Sequence, residues 1–274
     1  MLKVGLLLSP SKGFLDMGKE AVKYGANTFQ FFTRSPRKSV ATPINMSDIA
    51  QFIEFSKENN FHPILGHAPY LINPCSDNME ARSYAKAIMA DDLSRLENIP
   101  GSYYVLHPGS HVGQGVEVGT RYTIELLNDV INSKQSTTVL LETMAGKGDE
   151  IGRSFEELRL IIDGVNLKNH IGICLDTCHI FDAGYDIKND LHTILSDFDR
   201  IIGFNYLKAI HISDSKGRID RHEKIGEGSI GSNAFKQLIN HTALRELPFY
   251  LETPNDKPGH IIEIRRLKSW YKRN

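Results

Sequence analysis

A chain of 274 residues is long for an ordinary domain yet close to the roughly 250 residues of a single α/β barrel. With 41% hydrophobic and 24% charged residues it has the composition of a globular protein, able to bury a large core without disulfide staples. A formal charge of −1 excludes a generally basic, nucleic-acid-coating protein, so any site for a polyanion must be local. Cys75, Cys174 and Cys178 cannot all pair and form no C-x-x-C, so they read as reduced thiols of a cytoplasmic protein. The apolar run at the N-terminus is too short for a signal peptide, and no stretch approaches the roughly 20 apolar residues of a membrane span.

Along the chain, short apolar runs alternate with longer segments of helical spacing. The strand-like runs are Leu2–Leu8, Thr28–Thr33, Pro63–His67, Tyr103–His107, Thr138–Glu142, Ile171–Asp176, Leu207–Ile212 and Pro248–Glu252. Several are apolar without alternation, as in strands covered on both faces. The predicted helices are Met17–Tyr24, Ser47–Asn59, Met79–Glu97, Arg121–Asn132, Phe155–Asp163, Leu191–Phe198, Ser232–Ile239 and Ile261–Tyr271. Ser47 is a candidate N-cap, and Ser154 with Glu157 resembles a capping box. Eight alternations predict an α/β fold, a single (β/α)8 TIM barrel spanning residues 1–274. An open doubly wound sheet is the alternative, but no G-x-G-x-x-G follows the first strand.

Six of these runs carry a metal-ligand residue type at their last position or, for His211, one before it: His67, His107, Glu142, Asp176, His211 and Glu252, spaced 34 to 41 residues apart. Taken singly, each has a plain reading as a hydrogen-bonded loop residue or a cap. In a barrel, however, the C-terminal strand ends converge on one mouth, so these six side chains share a small volume. Three carboxylates and three imidazoles packed together need balancing cations, and mixed N and O donors suit zinc, with manganese or iron as possible substitutes. His179 follows Asp176 by three residues, and Asp220 and His222 form Asp-x-His after His211, where an extended loop puts both on one side. Nine ligands suit two or three metals. A metal cluster in turn suits phosphodiester cleavage, with one ion activating water while others neutralise charge on the phosphate.

At these residues the sequence resembles the endonuclease IV family of abasic-site endonucleases. The matching stretches are His-Ala-Pro-Tyr-Leu-Ile-Asn from 67, His-Pro-Gly-Ser-His from 107, Leu-Glu-Thr-Met-Ala-Gly-Lys-Gly from 141 and Gly-Ile-Cys-Leu-Asp-Thr-Cys-His from 172. Ala-Gly-Tyr-Asp from 183, Asp-Arg-His-Glu-Lys-Ile-Gly-Glu-Gly-Ser-Ile-Gly from 220 and Leu-Glu-Thr-Pro from 251 complete the set, which runs nearly the whole length. The resemblance implies a barrel with three zinc ions. His67, His107 and Glu142 would hold one; Glu142, Asp176, His211 and Glu252 a second; His179, Asp220 and His222 the third. It implies hydrolysis of the phosphodiester 5′ to an abasic site in double-stranded DNA, leaving a 3′-hydroxyl and a 5′-deoxyribose phosphate. Glu142 would be the catalytic residue that orients the attacking water or takes its proton. Removal of blocking groups from 3′ ends, and action as a monomer, follow from the same likeness.

Arg37, Tyr70 and Leu71 match positions where the family pushes side chains into the duplex, with Tyr and Leu as wedges. A wider basic rim of Arg34, Lys38, Lys147, Lys216, Arg218, Arg221 and Lys224 is placed to meet phosphates. Two residues depart from the family pattern: Leu7 stands where a His is usual, and Ser213 where an Asn is usual. A metal-dependent sugar isomerase or epimerase on the same barrel is the rival reading, since Glu142, Asp176, His211 and Glu252 alone could hold one metal. The other five ligands have no part in that chemistry.

Overall fold

The computed structural model describes residues 1–35, 40–217 and 219–272. In chain order it contains β1 (Lys3–Leu6), α1 (Phe14–Tyr24), β2 (Gln30–Phe32), α2 (Met46–Glu58), β3 (Leu65–His67), α3 (Met79–Leu96), β4 (Tyr103–Leu106) and α4 (Val116–Val130). There follow β5 (Thr138–Glu142), α5 (Phe155–Gly164), β6 (Ile171–Asp176), α6 (Thr177–Asp182), α7 (Leu191–Ile201) and β7 (Leu207–Ile212). The chain ends with a hairpin of β8 (Asp214–Ser215) and β9 (His222–Glu223), then α8 (Ser232–Leu238), β10 (Pro248–Leu251) and α9 (Lys257–Trp270).

Eight parallel strands stand side by side in the order β1-β10-β7-β6-β5-β4-β3-β2. The seam between β1 and β2 is joined by the parallel bridge Leu7–Gln30 and by the Leu8 N–H donating to the Gln30 carbonyl at 2.9 Å. The strands thus curl into a nearly closed TIM barrel. At the seam Gly5 passes so close that a Cβ there would lie 2.6 Å from the Thr28 carbonyl oxygen, which only glycine permits.

Two apolar layers follow from the strand period of two. One face of each strand packs on the helices, in a core that includes Val4, Phe29, Leu106, Leu141, Ile173, Ile212 and Phe249. The other face fills the barrel with Leu65, Val105, Leu140, Cys174, Ala209 and Tyr250. Each of these six lies two positions before a strand-end residue singled out above: His67, His107, Glu142, Asp176, His211 and Glu252. The six polar side chains therefore form the next inward layer, directly on an apolar floor. That register makes them converge.

Several local expectations need correction. The cap of α2 is Asn45, whose Oδ1 accepts the N–H groups of Ser47 and Asp48, not Ser47 itself. Ser154 caps α5 through the Glu157 N–H, but Glu157 turns back to Gly152 and Arg153 and not to the cap residue. The turn of helix α6 after β6 and the β8–β9 hairpin were not anticipated.

Candidate metal centre

Glu142, Asp176 and His211 leave the ends of adjacent strands and are completely buried. The two oxygens of Glu142 face different partners. Oε2 lies 3.5 Å from His67 Nε2 and 3.3 Å from His107 Nε2, while Oε1 lies 3.0 Å from His211 Nδ1. Glu252 completes this wall, with Oε1 3.5 Å from His211 Nδ1. Asp176 divides its carboxylate between two duties. Oδ1 accepts the His179 N–H at 2.7 Å and so caps α6, whereas Oδ2 is buried with no hydrogen-bond partner among the described residues.

Backbone carbonyls orient the histidines. His67 Nδ1 donates to the Ala68 carbonyl at 2.6 Å, His179 Nδ1 to that of Thr143 at 2.9 Å, and His222 Nδ1 to that of Glu252 at 3.0 Å. Each such bond occupies Nδ1 and turns Nε2 inward, where the neutral ring offers a lone pair, the arrangement of metal-binding imidazoles. His179 Nε2 and His222 Nε2 then face each other at 3.4 Å, and Asp220 Oδ1 lies 3.4 Å from His179 Nε2. Two lone pairs and a carboxylate pointing at one spot require a positive charge there.

Asp220 and His222 reach the site on the β8–β9 hairpin, in which Ser215 pairs with His222. The segment is not the extended loop expected from Asp-x-His: Asp220 has φ +49°, a left-handed conformation that Asp tolerates better than most residues. The buried Asp214 carboxylate clasps the return limb, accepting the N–H groups of Ser215, Gly226, Ile230 and Gly231 at 2.8 to 3.1 Å. Gly228 makes the clasp possible, since a Cβ there would sit 2.3 Å from the Ser215 carbonyl oxygen.

Three groups of donors each lie within 4.8 Å of one another: His67, His107 and Glu142; Glu142, Asp176, His211 and Glu252; Asp176, His179 and His222. The first two coincide with the sets drawn from the family likeness. In the third, Asp176 stands in the place expected of Asp220, with Asp220 adjoining through His179. Charge balance supports a cationic occupant. Burial alone would raise the Glu142 carboxyl, yet His211 and His107 hold it well below its ordinary value. Burial would lower His179, yet Asp176, Asp220 and Glu142 lift it well above. Glu142 Oε2 and Asp176 Oδ2 are buried without hydrogen-bond partners among the described residues, and His211 turns Nδ1 toward Glu142 and Glu252. Orphaned donor atoms of this kind, in a mixed N and O set, fit divalent metal.

Tyr70 and Leu71 project at the rim, 62% and 49% exposed, with the Tyr70 ring centroid 5.5 Å from that of His67 and 5.7 Å from that of His107. Arg37 lies outside the described residues, as do Lys38 and Arg218. Arg34 does not belong to the rim: it is buried, its Nε donates to Asp92 Oδ1 at 2.8 Å, and Nη2 pairs with Asp91. Leu7 is 42% exposed and lines a cavity of about 1070 Å³ with Phe32, Tyr70, His222 and Glu252. Ser213 is buried, and its backbone N–H donates to Thr177 Oγ1 at 3.0 Å, beside Asp176.

Four contributors were not singled out from the sequence. Gln30 Nε2 donates to Glu252 Oε1 at 2.8 Å, and Thr143 Oγ1 accepts the Asp176 N–H at 2.8 Å. The others are Asp214 and Asp182, which brace the hairpin. Thr143 and Asp214 sit one residue from Glu142 and two from Ile212, so adjacency to a strand end was their signal. Gln30, a lone amide in an aromatic run, carried none.

Residues 19–272 match the family model described as Xylose isomerase-like TIM barrel. A protein of Clostridium beijerinckii named probable endonuclease 4 is 55% identical over 275 residues, covering 99% of each chain. The crystal structure of endonuclease IV from Thermus thermophilus superposes with a TM-score of 0.87 at 29% identity, over 98% of each chain. A D-tagatose 3-epimerase-like protein shares the fold, with a TM-score of 0.75 at 18% identity over 98% of this chain and 97% of that one. Full-length identity at this level, joined to the ligand-rich barrel mouth, shows that the chain belongs to the endonuclease IV family within the xylose isomerase-like TIM barrels.

Proposed function

We propose that this chain cuts double-stranded DNA on the 5′ side of abasic sites, leaving a 3′-hydroxyl and a 5′-deoxyribose phosphate. As a member of the endonuclease IV family it is a DNA phosphodiester hydrolase. The finer reading rests on one observation: His67, His107, His179, Asp220 and His222 crowd the same mouth as Glu142, Asp176, His211 and Glu252. A one-metal sugar enzyme would leave those five without a task.

Three zinc ions are the proposed cofactor, with manganese or iron as substitutes. His67, His107 and Glu142 would hold one, Glu142, Asp176, His211 and Glu252 the next, and His179, His222 and Asp220 the third, with Asp176 within reach of it. Bound there, the metals supply charge neutralisation at the phosphate and acidify water for attack. The chain's own residues do the rest. Glu142 orients the water or takes its proton. Tyr70 and Leu71 wedge into the duplex at the lesion, and Arg37 joins them. The same centre would trim blocked 3′ ends. One domain acting as a monomer in the cytoplasm completes the proposal; no helix among the described residues is long and apolar enough to cross a membrane.

A second reading, a metal-dependent sugar isomerase or epimerase, is favoured by the Glu142, Asp176, His211 and Glu252 tetrad alone. Metal content separates the two: near three zinc per chain for the nuclease, near one manganese for the isomerase. The direct test is a labelled duplex carrying one tetrahydrofuran abasic analogue, which cannot undergo β-elimination. Chelator-sensitive cleavage 5′ to the analogue with a 3′-hydroxyl product is expected. Intact duplex with the metals shown in place would overturn the reading in favour of the sugar enzyme. Tyr70→Ala should weaken binding of this duplex about tenfold, the worth of one stacking wedge, at unchanged metal content. Loss of zinc along with binding would remove Tyr70 from the wedge role.

A further inference from the structure

The ligands of the third set arrive on two separate pieces of chain. His179 rides on α6, while Asp220 and His222 ride on the hairpin after β7, some forty residues later. Something must hold those pieces in a fixed relation, because donor atoms must keep their places to within about 0.5 Å for a site to be preorganised. The Asp214 clasp does not do this: its four N–H partners all belong to the hairpin's own residues and return limb.

Thr177 at the start of α6 ties down only Ser213, ahead of the hairpin; Asp182 makes the connection to the hairpin itself. It sits at the end of α6, three residues after His179 and on the same side of the helix. Its Oδ2 accepts the Asp220 N–H at 2.8 Å, and its Oδ1 accepts the Ser215 hydroxyl at 2.6 Å. The Cys178 thiol of the same helix also points at Oδ2, at 3.7 Å. One carboxylate therefore grips the ligand-bearing turn at Asp220 and the strand residue Ser215 that pairs with His222. The grip falls on the residue whose backbone most needs it, since Asp220 is held at φ +49°. An acceptor fixed on its N–H favours that conformation over the more open alternatives of the unclasped turn.

We propose that Asp182 is a positioning residue that assembles the third metal site by bolting the Asp220–His222 hairpin to the helix carrying His179. The inference rests on the three-metal reading. It predicts a selective effect. Asp182→Ala leaves the strand-borne ligands and the Asp214 clasp untouched, so the barrel stays folded and two metals stay bound. Partners that orient metal ligands typically contribute ten- to a hundredfold in affinity, and that is the expected weakening of one ion. Asp182→Asn keeps one carbonyl-type oxygen and should fall between Ala and the parent.

The experiment uses the full-length protein loaded with zinc and titrated against a chromophoric chelator, with amide hydrogen exchange followed over residues 216–223 in the metal-free form. Expected for Asp182→Ala is one ion released at ten- to a hundredfold lower chelator, two ions unchanged, and faster exchange at the Asp220 amide. Release of all ions as in the parent would overturn the proposal, as would equal weakening of all three. If the parent itself binds fewer than three ions, the three-metal reading fails; the exchange data then decide, with unchanged protection at Asp220 overturning the role of Asp182 and faster exchange upholding it. Asp182→Asn provides the same comparison if the alanine variant does not fold.

Discussion

Glu142, Asp176 and His211 stand at the ends of β5, β6 and β7, while Asp220 and His222 stand on a hairpin of two-residue strands. The first group is wholly buried, and its spacing is dictated by parallel register, in which Glu142 pairs with Cys174 and Asp176 with His211. The second group is part-exposed, and side-chain carboxylates hold it in place. A strand ladder positions its ligands with bonds that the fold needs anyway. A hairpin positions them with bonds that serve little else. The strand wall should therefore tolerate change poorly in function yet well in shape, and the hairpin should lose shape locally and metal selectively.

The sharpest way to break this comparison is Glu142→Gln. Gln keeps the volume and sits on the same ladder, but it cannot offer two anionic oxygens to two sets of ligands. Cleavage of the abasic duplex should fall on the order of a thousandfold, the scale of losing a base that acts on the nucleophile. The circular dichroism spectrum should remain that of the parent. Activity within tenfold of the parent would remove Glu142 from the bridging and proton-handling roles proposed for it.

Asp214→Ala attacks the other half. It strips the acceptor from four backbone N–H groups at once, in a partly buried turn where Gly228 leaves no room for a side chain to replace it. Unfolding in urea should show a loss of about 2–4 kcal/mol, given that each buried unsatisfied donor costs about 1–3 kcal/mol and local opening lets water relieve part of it. Of the three metals proposed, one should be lost and two kept. Loss of all three together would mean that the strand wall depends on the hairpin, and the contrast between them would disappear.

The same contrast explains what could be read from sequence. Strands buried on both faces write themselves as unbroken apolar runs, and a ligand two residues beyond an inward apolar residue is legible, as in Leu140 and Glu142 or Ala209 and His211. The hairpin hid because two-residue strands carry no period, and its bracing acids look like ordinary loop polarity. Helix α6 hid because it begins directly after Asp176, with that residue serving as both ligand candidate and cap. Arg34 was misassigned to the basic rim because its partners Asp91 and Asp92 lie nearly sixty residues away on α3. Asp176 joined the third group of donors because α6 folds back over it, a closeness that strand spacing alone could not express.

Gln30→Leu is the finest of these probes, because it alters the strand wall without touching a ligand. Gln30 is buried, faces the barrel interior at the β1–β2 seam, and donates Nε2 to Glu252 Oε1 at 2.8 Å. The amide orientation is fixed by that contact, since the flipped form would set two oxygens against each other. Its own Oε1 is buried with no partner among the described residues, so replacing the amide by an apolar group of similar size removes one good bond and one unsatisfied atom together. Those terms oppose, and stability should change by less than about 1 kcal/mol. Glu252 keeps His211 at 3.5 Å but loses the Gln30 amide donor, so the metal proposed for the strand wall should weaken about tenfold. A stability loss well beyond this, with zinc affinity unchanged, would assign Gln30 to closing the barrel and leave Glu252 oriented by the histidines alone.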